Sequence, residues 1–262
     1  MKKHLFLLFL LFCCSFVINA QPNLVNRKPH HPASIKDNGE GKRVNFGFSF
    51  APTIDWMNPK TEGLERNGVI MGMRGGLNIN VNLTQKKNYY VSTGVFFEQI
   101  GGKLAFIENI PLPFDSLVVN STPTQRTYRA NYITIPLGIT LKTNSLNNFF
   151  ITGNVGLYNS FLLKAFNEDA YSFKNDRTGE AELWSKQKTA SDEASICKET
   201  VFAGVGFEYS ITRDFRAGLT VNYAHSLTNY FKGKQLAPNN YSKLDQKAKI
   251  GYVEIVLNIN FL

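Results

Sequence analysis

Cysteine, histidine and uninterrupted apolar sequence are all scarce in this chain of 262 residues. Of its 3 cysteines, Cys13 and Cys14 fall within the first twenty positions and only Cys197 lies beyond them. The later sequence therefore has no second thiol with which to close an intrachain disulfide. Among the 4 histidines, His225 alone sits in patterned sequence; His30 and His31 are adjacent in a polar stretch without matched partners, so no metal is expected there. Past the N-terminus no run approaches the roughly 18 consecutive apolar residues of a membrane-spanning helix, and mean hydropathy is −0.19, which excludes a multi-helix membrane protein. Disorder is excluded by the opposite excess, 43% hydrophobic and 13% aromatic residues. A membrane β-barrel survives both tests, because its alternating strands average out in a hydropathy count. The net charge of +9 is spread along the chain with no basic cluster, which speaks against nucleic acid and for anionic lipid headgroups or glycolipids.

The N-terminus reads as an export signal. Lys2 and Lys3 lead into an apolar run from Leu5 to Val17, and Ala20 supplies the small residue before a cleavage point, so 1–20 is expected to be a signal peptide. A lipoprotein anchored at Cys13 or Cys14 is the competing reading, but Phe12 and Cys13 are bulkier than the small residue such processing prefers. Losing Lys2 and Lys3 lowers the net charge from +9 to +7. Residues 21–42 are polar, contain proline and lack apolar periodicity, which predicts a flexible periplasmic leader before a barrel over 43–262.

From Arg43 onward the period is two. Val44, Phe46, Phe48, Phe50, Ile54 and Trp56 share one face, while Asn45, Gly47, Ser49, Ala51, Thr53 and Asp55 share the other. The alternation returns over 69–83, 89–99, 131–142, 149–165, 200–211, 215–225 and 249–262, giving eight strands. The links 84–88, 143–148 and 212–214 are short, whereas 57–68, 102–130, 166–199 and 226–248 are long and polar. Strict alternation of long and short links is the pattern of an antiparallel up-and-down outer-membrane barrel with long extracellular loops and short periplasmic turns, both termini periplasmic.

A soluble sandwich or lipocalin-like barrel would turn its apolar face inward. Two features weigh against it. The polar face carries Gly, Asn, Ser and Thr rather than Lys and Glu, which suits a crowded interior. The apolar face is almost free of charge over the ten or so residues that a tilted strand needs to cross a bilayer. Trp56, Tyr89, Tyr90, Phe149, Phe150, Phe215 and Tyr223 stand near strand ends and are expected in interfacial girdles.

Side chains fill an eight-stranded lumen, so an open pore is not expected. The inward positions carry Arg74, Glu98, Lys142, Glu208, Arg216 and Glu254. Pairing Leu83 with Tyr89 across the 84–88 turn puts Arg74 opposite Glu98, with Glu254 at similar height, and a hydrogen-bonded cluster of the three is predicted because an unpaired interior charge is costly. Glu208 and Arg216 flank the 212–214 turn and are expected to pair diagonally. Structural plugging is the favoured role of these charges; a proton or ion path is the alternative. Pro136 removes a ladder donor from the fourth strand, and a bulge is expected there.

Catalytic signals are thin. The stretch Tyr223-Ala224-His225-Ser226-Leu227-Thr228 loosely resembles the His-x-Ser arrangement of outer-membrane lipid A deacylases, but here serine is adjacent to histidine, and neighbours on a strand point to opposite faces. No nucleophile elbow, phosphate-binding loop or metal-ligand spacing is present. No catalytic residue, metal or cofactor is assigned. Cys197 is read as a bystander.

Three segments carry a family resemblance. Arg43-Val44-Asn45-Phe46-Gly47-Phe48 resembles the opening strand of the PorT-like outer-membrane barrels of Bacteroidetes, and Tyr132-Ile133-Thr134-Ile135-Pro136-Leu137 resembles their fourth strand. Gly251, Val253, Ile255, Leu257, Ile259 and Phe261 are similar to the terminal strand signal read by the barrel assembly machinery, with Leu262 following the aromatic as a departure. The resemblance implies an integral, non-enzymatic protein of the cell outer membrane. Its partners would be outer-membrane lipid, the assembly machinery during biogenesis, and secretion-system proteins of the type IX and gliding class. A surface binding or adhesion barrel, working through 102–130 and 166–199, is the rival expectation.

Overall fold

The computed structural model describes residues 44–61, 64–84, 88–106, 125–146, 148–174, 181–212, 214–232, 235–236, 243–244 and 247–261. The expected signal peptide and leader, and most of the 102–130 link, lie outside them. Among the described residues there are twelve strands, in chain order β1 (Val44–Pro59), β2 (Leu64–Arg66), β3 (Ile70–Asn82), β4 (Tyr89–Phe106), β5 (Gln125–Lys142), β6 (Phe149–Lys174), β7 (Ala181–Thr189), β8 (Cys197–Ser210), β9 (Phe215–Ser226), β10 (Gln235–Leu236), β11 (Lys243–Leu244) and β12 (Ala248–Phe261).

Eight of them, β1, β3, β4, β5, β6, β8, β9 and β12, pair antiparallel in sequence order, and β1 closes the ring against β12 from Phe46↔Phe261 to Pro59↔Ala248. The result is a closed eight-stranded antiparallel barrel, reached because the alternation leaves each strand one apolar and one polar face. Phe46, Phe48, Phe50, Ile54, Met71, Val205, Ile255 and Leu257 are exposed on the outside, while Asn45, Thr53, Asp55, Glu98, Thr134 and Glu254 are buried inside. A water-soluble barrel would reverse this arrangement. At the end bearing the short turns, Phe149 meets Tyr209 at 5.1 Å and Phe215 meets Phe261 at 5.7 Å; at the other end Trp56 meets Tyr223 at 6.1 Å. These are the two aromatic girdles. Tyr90 and Phe150 do not belong to them: each lies one residue out of phase with its girdle neighbour and is buried in the lumen.

The end away from the short turns is tall. β4, β5 and β6 run past the end of β3, pairing as far as Ala105↔Gln125 and Gln125↔Ala170, and β7 adds a hairpin to β6 from Phe166↔Thr189 to Lys174↔Ala181. Strand structure thus occupies much of what the sequence predicts as loop. The register between β5 and β6 shifts between Asn131 and Tyr132, where Leu163 is the extra residue and Leu163 and Lys164 are exposed in succession. No bulge forms at Pro136. It stays in register with Tyr158, and its missing donor appears as a gap in the β4–β5 ladder between Thr93↔Leu137 and Phe96↔Thr134, with Thr93 Oγ1 donating to the Pro136 carbonyl at 2.9 Å. An interrupted ladder keeps the strand's inside–outside phase, which a bulge would have inverted.

An aromatic cap lies over the tall end of the lumen. Ser195 N donates to the Tyr230 carbonyl at 2.7 Å, Tyr230 N to Ala248 at 2.8 Å and Lys232 N to Glu193 at 2.8 Å, tying 193–195 to 230–232. Tyr230 and Phe231 then pack edge-on against Tyr128 at 5.7 and 5.1 Å, joining Met57, Leu64, Ile100, Leu104 and Ile250 in one apolar cluster. Burying a phenylalanine side chain contributes stability that truncation removes. Phe231→Ala should therefore cost about 3–5 kcal/mol by the cavity it leaves. Urea unfolding of the refolded protein in detergent, followed by tryptophan fluorescence, checks this.

Candidate functional site

The lumen gathers nearly all the buried charge. Strand alternation sends Arg74 inward from β3, Glu98 from β4, Lys198 from β8 and Glu254 from β12, and all four are almost fully buried. Register places Arg74 directly opposite Glu98, as the turn count predicts. The charge partners, however, are Arg74 with Glu254 at 2.7 Å and Glu98 with Lys198 at 3.0 Å. The expected cluster of three is thus two adjoining ion pairs, and Lys198 is the member that sequence reasoning missed.

Each carboxylate is dressed by neutral donors. Glu98 accepts from Thr134 Oγ1 at 2.8 Å, Ser160 Oγ at 3.1 Å and Tyr252 OH at 3.0 Å. Glu254 Oε1 accepts from Tyr158 OH at 2.7 Å and Asn222 Nδ2 at 2.6 Å. The Arg74 guanidinium lies 3.9 Å over the Tyr158 ring, which stacks at 4.0 Å on Phe202. Desolvated ions need this many partners, because their mutual attraction alone does not repay the loss of water. Cation, carboxylate and aromatic plate thus pack against one another within the lumen.

Toward the short-turn end the contents change. A cavity of about 110 Å³ is lined by Asn45, Asn78, Asn154, Asn258 and Asn260 among others, with Arg74 and Tyr158 at one limit and Lys142 and Glu208 at the other. Asn78 Nδ2 donates to Asn260 Oδ1 at 2.7 Å, and Ser92 Oγ to Asn80 at 2.7 Å. Glycine makes room for these amides: a Cβ on Gly204 would stand 1.9 Å from Asn222 Oδ1. At the floor, Glu208 forms its ion pair with Lys142, whose ammonium sits 4.9 Å over Tyr90. Arg216, the partner expected for Glu208, instead has Nε donating to Ser210 Oγ at 3.0 Å and its guanidinium 4.7 Å over Phe150. Lys142 was placed inward from the sequence but not assigned a partner; it reaches Glu208 from the far wall, a contact that no local spacing reveals.

The other predicted positions stand as follows. Val253, Ile255, Leu257, Ile259 and Phe261 follow one outward phase of β12, and Gly251 shares it beneath the Trp56 indole, whose Nε1 would be 2.7 Å from an added Cβ. His225 lies opposite Val201 and Gly251 on the outward face of β9. Ser226 is buried on the opposite face and donates to the Thr228 carbonyl at 2.7 Å, so the two side chains do not meet. Cys197 is exposed and free. Among the described residues no group of three His, Cys, Asp or Glu is disposed to hold a metal.

The ion pairs carry a test. Lys198→Met leaves the Glu98 carboxylate without its cation and should cost about 3–5 kcal/mol, whereas Lys198→Met with Glu98→Gln should recover most of that loss. The two variants, with Glu98→Gln alone, close a double-mutant cycle read by urea unfolding in detergent micelles.

Solved structures resemble this fold at low sequence identity. Ail, the attachment invasion locus protein of Yersinia pestis, solved with the heparin analogue sucrose octasulfate, is 13% identical with a TM-score of 0.36, covering 84% of this chain and 99% of its own. OprG from Pseudomonas aeruginosa is 10% identical with a TM-score of 0.41, covering 83% and 94%, and the outer membrane protease OmpT from Escherichia coli is 12% identical with a TM-score of 0.38, covering 83% and 96%. No curated protein matches the chain in sequence. The family model for the outer membrane protein beta-barrel domain matches residues 20–232, and with the apolar exterior and charged interior described above this chain is a member of that outer-membrane β-barrel family.

Proposed function

We propose that this protein is a non-conducting, non-enzymatic outer-membrane anchor that presents its tall end outside the cell as a binding surface. The observation that carries the reading is the filled lumen: two ion pairs with their tyrosine partners block the middle, and Tyr128, Tyr230 and Phe231 cover the tall end. A barrel built for passage would spend its interior on a channel. The orientation follows the usual arrangement of such barrels, with short turns and both termini periplasmic and long connections outside. The β6–β7 hairpin extends roughly 25 Å along the strand from Phe166↔Thr189 to Lys174↔Ala181, a platform that a membrane anchor alone does not need. The opposite facing of His225 and Ser226 supports a role without acyl-transfer chemistry.

The PorT-like resemblance favours a different location for the partner. A secretion-accessory role would act on the periplasmic side, through 21–42 and the short turns. Conductance tests the sealed lumen, and a pull-down with two variants separates the two locations. Purified protein in planar bilayers should give no open single-channel current, and large steady currents would overturn the sealed-lumen reading. Pull-down from native outer membranes, read by mass spectrometry, should lose its partners when 171–186 is replaced by a short turn. It should keep them when 22–40 is deleted. The reverse result would assign the contacts to the periplasmic side and to the secretion role.

A further inference from the structure

We propose that the luminal row Asn154–Gly204–Asn222 is a binding site for one buried water molecule, which bridges the two amides and completes the hydrogen bonding of the Arg74–Glu254 ion pair. The inference goes beyond the anchor reading and holds whichever side of the membrane the tall end occupies. Its basis is a pattern that the wall repeats. Gly47 of β1 stands between Asn78 of β3 and Asn260 of β12, and Gly204 of β8 stands between Asn154 of β6 and Asn222 of β9. In each row the glycine lets two amides lean together. A Cβ on Gly47 would lie 2.4 Å from Asn260 Oδ1 and 2.7 Å from Asn78 Oδ1. One on Gly204 would lie 1.9 Å from Asn222 Oδ1 and 2.8 Å from Asn154 Oδ1.

The two rows use their amides differently. In the first, Asn78 Nδ2 donates to Asn260 Oδ1 at 2.7 Å and Ser49 Oγ donates to Asn78 Oδ1 at 3.1 Å, so both oxygens are served. In the second, Asn222 Nδ2 is committed to Glu254 Oε1 at 2.6 Å, and Asn222 Oδ1 is left beside Asn154 Oδ1. Both of these oxygens are buried without a donor among the described residues. Arg74 Nη2 serves the same Glu254 Oε1 at 2.7 Å, while its Nη1 is buried without an acceptor. Asn222 and Arg74 are 2% and 5% exposed, and both line the same cavity of about 110 Å³ as Asn154. All four residues lie in strands whose chain neighbours are described on both sides. Glu254 Oε2 also lacks a partner, but that residue does not line the cavity. Asn258 Oδ1 lies over Gly218, roughly 13 Å along β9 from Asn222, too far to share one molecule.

Donor and acceptor counts identify the ligand. Two neighbouring oxygens without a proton need a molecule that donates twice, and a guanidinium N–H on the same cavity needs one that accepts. A single heavy atom that does both is water, and three hydrogen bonds are what a buried water ordinarily makes. The cavity exceeds the roughly 10–15 Å³ that one water requires. A cation would serve the oxygens but offers the guanidinium no acceptor and repels it. Turning Asn154 over so that Nδ2 met Asn222 Oδ1, as in the first row, would leave Arg74 Nη1 unserved, and a charged group is the costlier one to leave unpaired.

The test uses the full mature chain, labelled with 13C and 15N and refolded in detergent micelles. Magnetisation transfer from solvent water to the Gly204 α-protons is read by NMR, because the inward α-proton points along the Cβ direction into the bridging position. The wild type should show NOE and ROE cross-peaks of opposite sign, the signature of a bound water. Asn154→Leu, which removes one acceptor, should abolish them. Asn80→Ala, which lines the cavity from β3, should keep them. Folding of each variant is verified by heat-modifiable gel migration. Absence of the cross-peaks in folded wild type would mean that the amides bond directly and would overturn the site. Cross-peaks that survive Asn154→Leu unchanged would place the water elsewhere and overturn the bridge. Their replacement by cross-peaks to added glycerol would assign the cavity to polyols and overturn the water.

Discussion

Hydrocarbon offers no water to a backbone amide, and the rest of this structure depends on meeting that condition. Every N–H and C=O at membrane depth must find a partner in the chain, which permits a sheet only if it closes on itself. The seam from Phe46↔Phe261 to Pro59↔Ala248 meets the requirement. Two of the prolines within the wall, Pro52 and Pro136, show how strict it is. Pro52 interrupts the β1–β12 ladder between Phe50↔Leu257 and Thr53↔Glu254, and Pro136 interrupts β4–β5 in the same way, yet each keeps its register with the strand on its other side. A gap of two residue pairs is tolerated where a slip is not, because a slip would turn every side chain of the strand over.

Closure fixes the second condition. Alternation that gives lipid one face of each strand delivers the other face to a lumen too narrow for bulk water, so polar side chains there must satisfy one another. The solution is layered. Apolar and aromatic residues fill the tall end, paired ions with tyrosine and asparagine donors fill the middle, and an asparagine-lined cavity lies toward the short-turn end. Arg74 offsets Glu254 and Lys198 offsets Glu98, and the Asp55 carboxyl beside them accepts from Gly101 N. Tyr158 serves both kinds of need, its hydroxyl donating to Glu254 while its ring packs against the Arg74 guanidinium and Phe202. Removing such a residue would disturb cation, anion and packing together.

How far the amino-acid order reveals this depends on whether a property is local. Period-two alternation is local, and it yields the eight wall strands and the inward facing of Arg74, Glu98 and Glu254. The Arg74–Glu98 register also follows from one turn. The choice of charge partner does not, since Arg74 selects Glu254 from β12 and Glu98 selects Lys198 from β8, across the lumen. Lys198 was missed because the outward charge of Glu199 hides the start of its strand, although the inward phase Lys198, Thr200, Phe202 was already present. The Asn131 shift has no sequence mark. Tyr230 and Phe231 lie in a link without periodicity, and only their backbone bonds to Ser195 and Ala248 carry them over the barrel.

Separation of wall from rim has a consequence for the use of the fold. The charges that fix the lumen lie within the strands that cross the membrane, whereas the β6–β7 hairpin pairs with β5 at its base, from Arg129↔Phe166 to Gln125↔Ala170, and continues beyond it on its own ladder to Lys174↔Ala181. Sequence in the hairpin can therefore change without disturbing the buried ions. The β1–β12 ladder continues one step past the wall, where Lys60 N donates to the Lys247 carbonyl and the side chains leave the apolar layer. A rigid strand pair fixes the spacing of charges more closely than a loop does. The rim can thus change in sequence while the wall and the buried ions stay fixed.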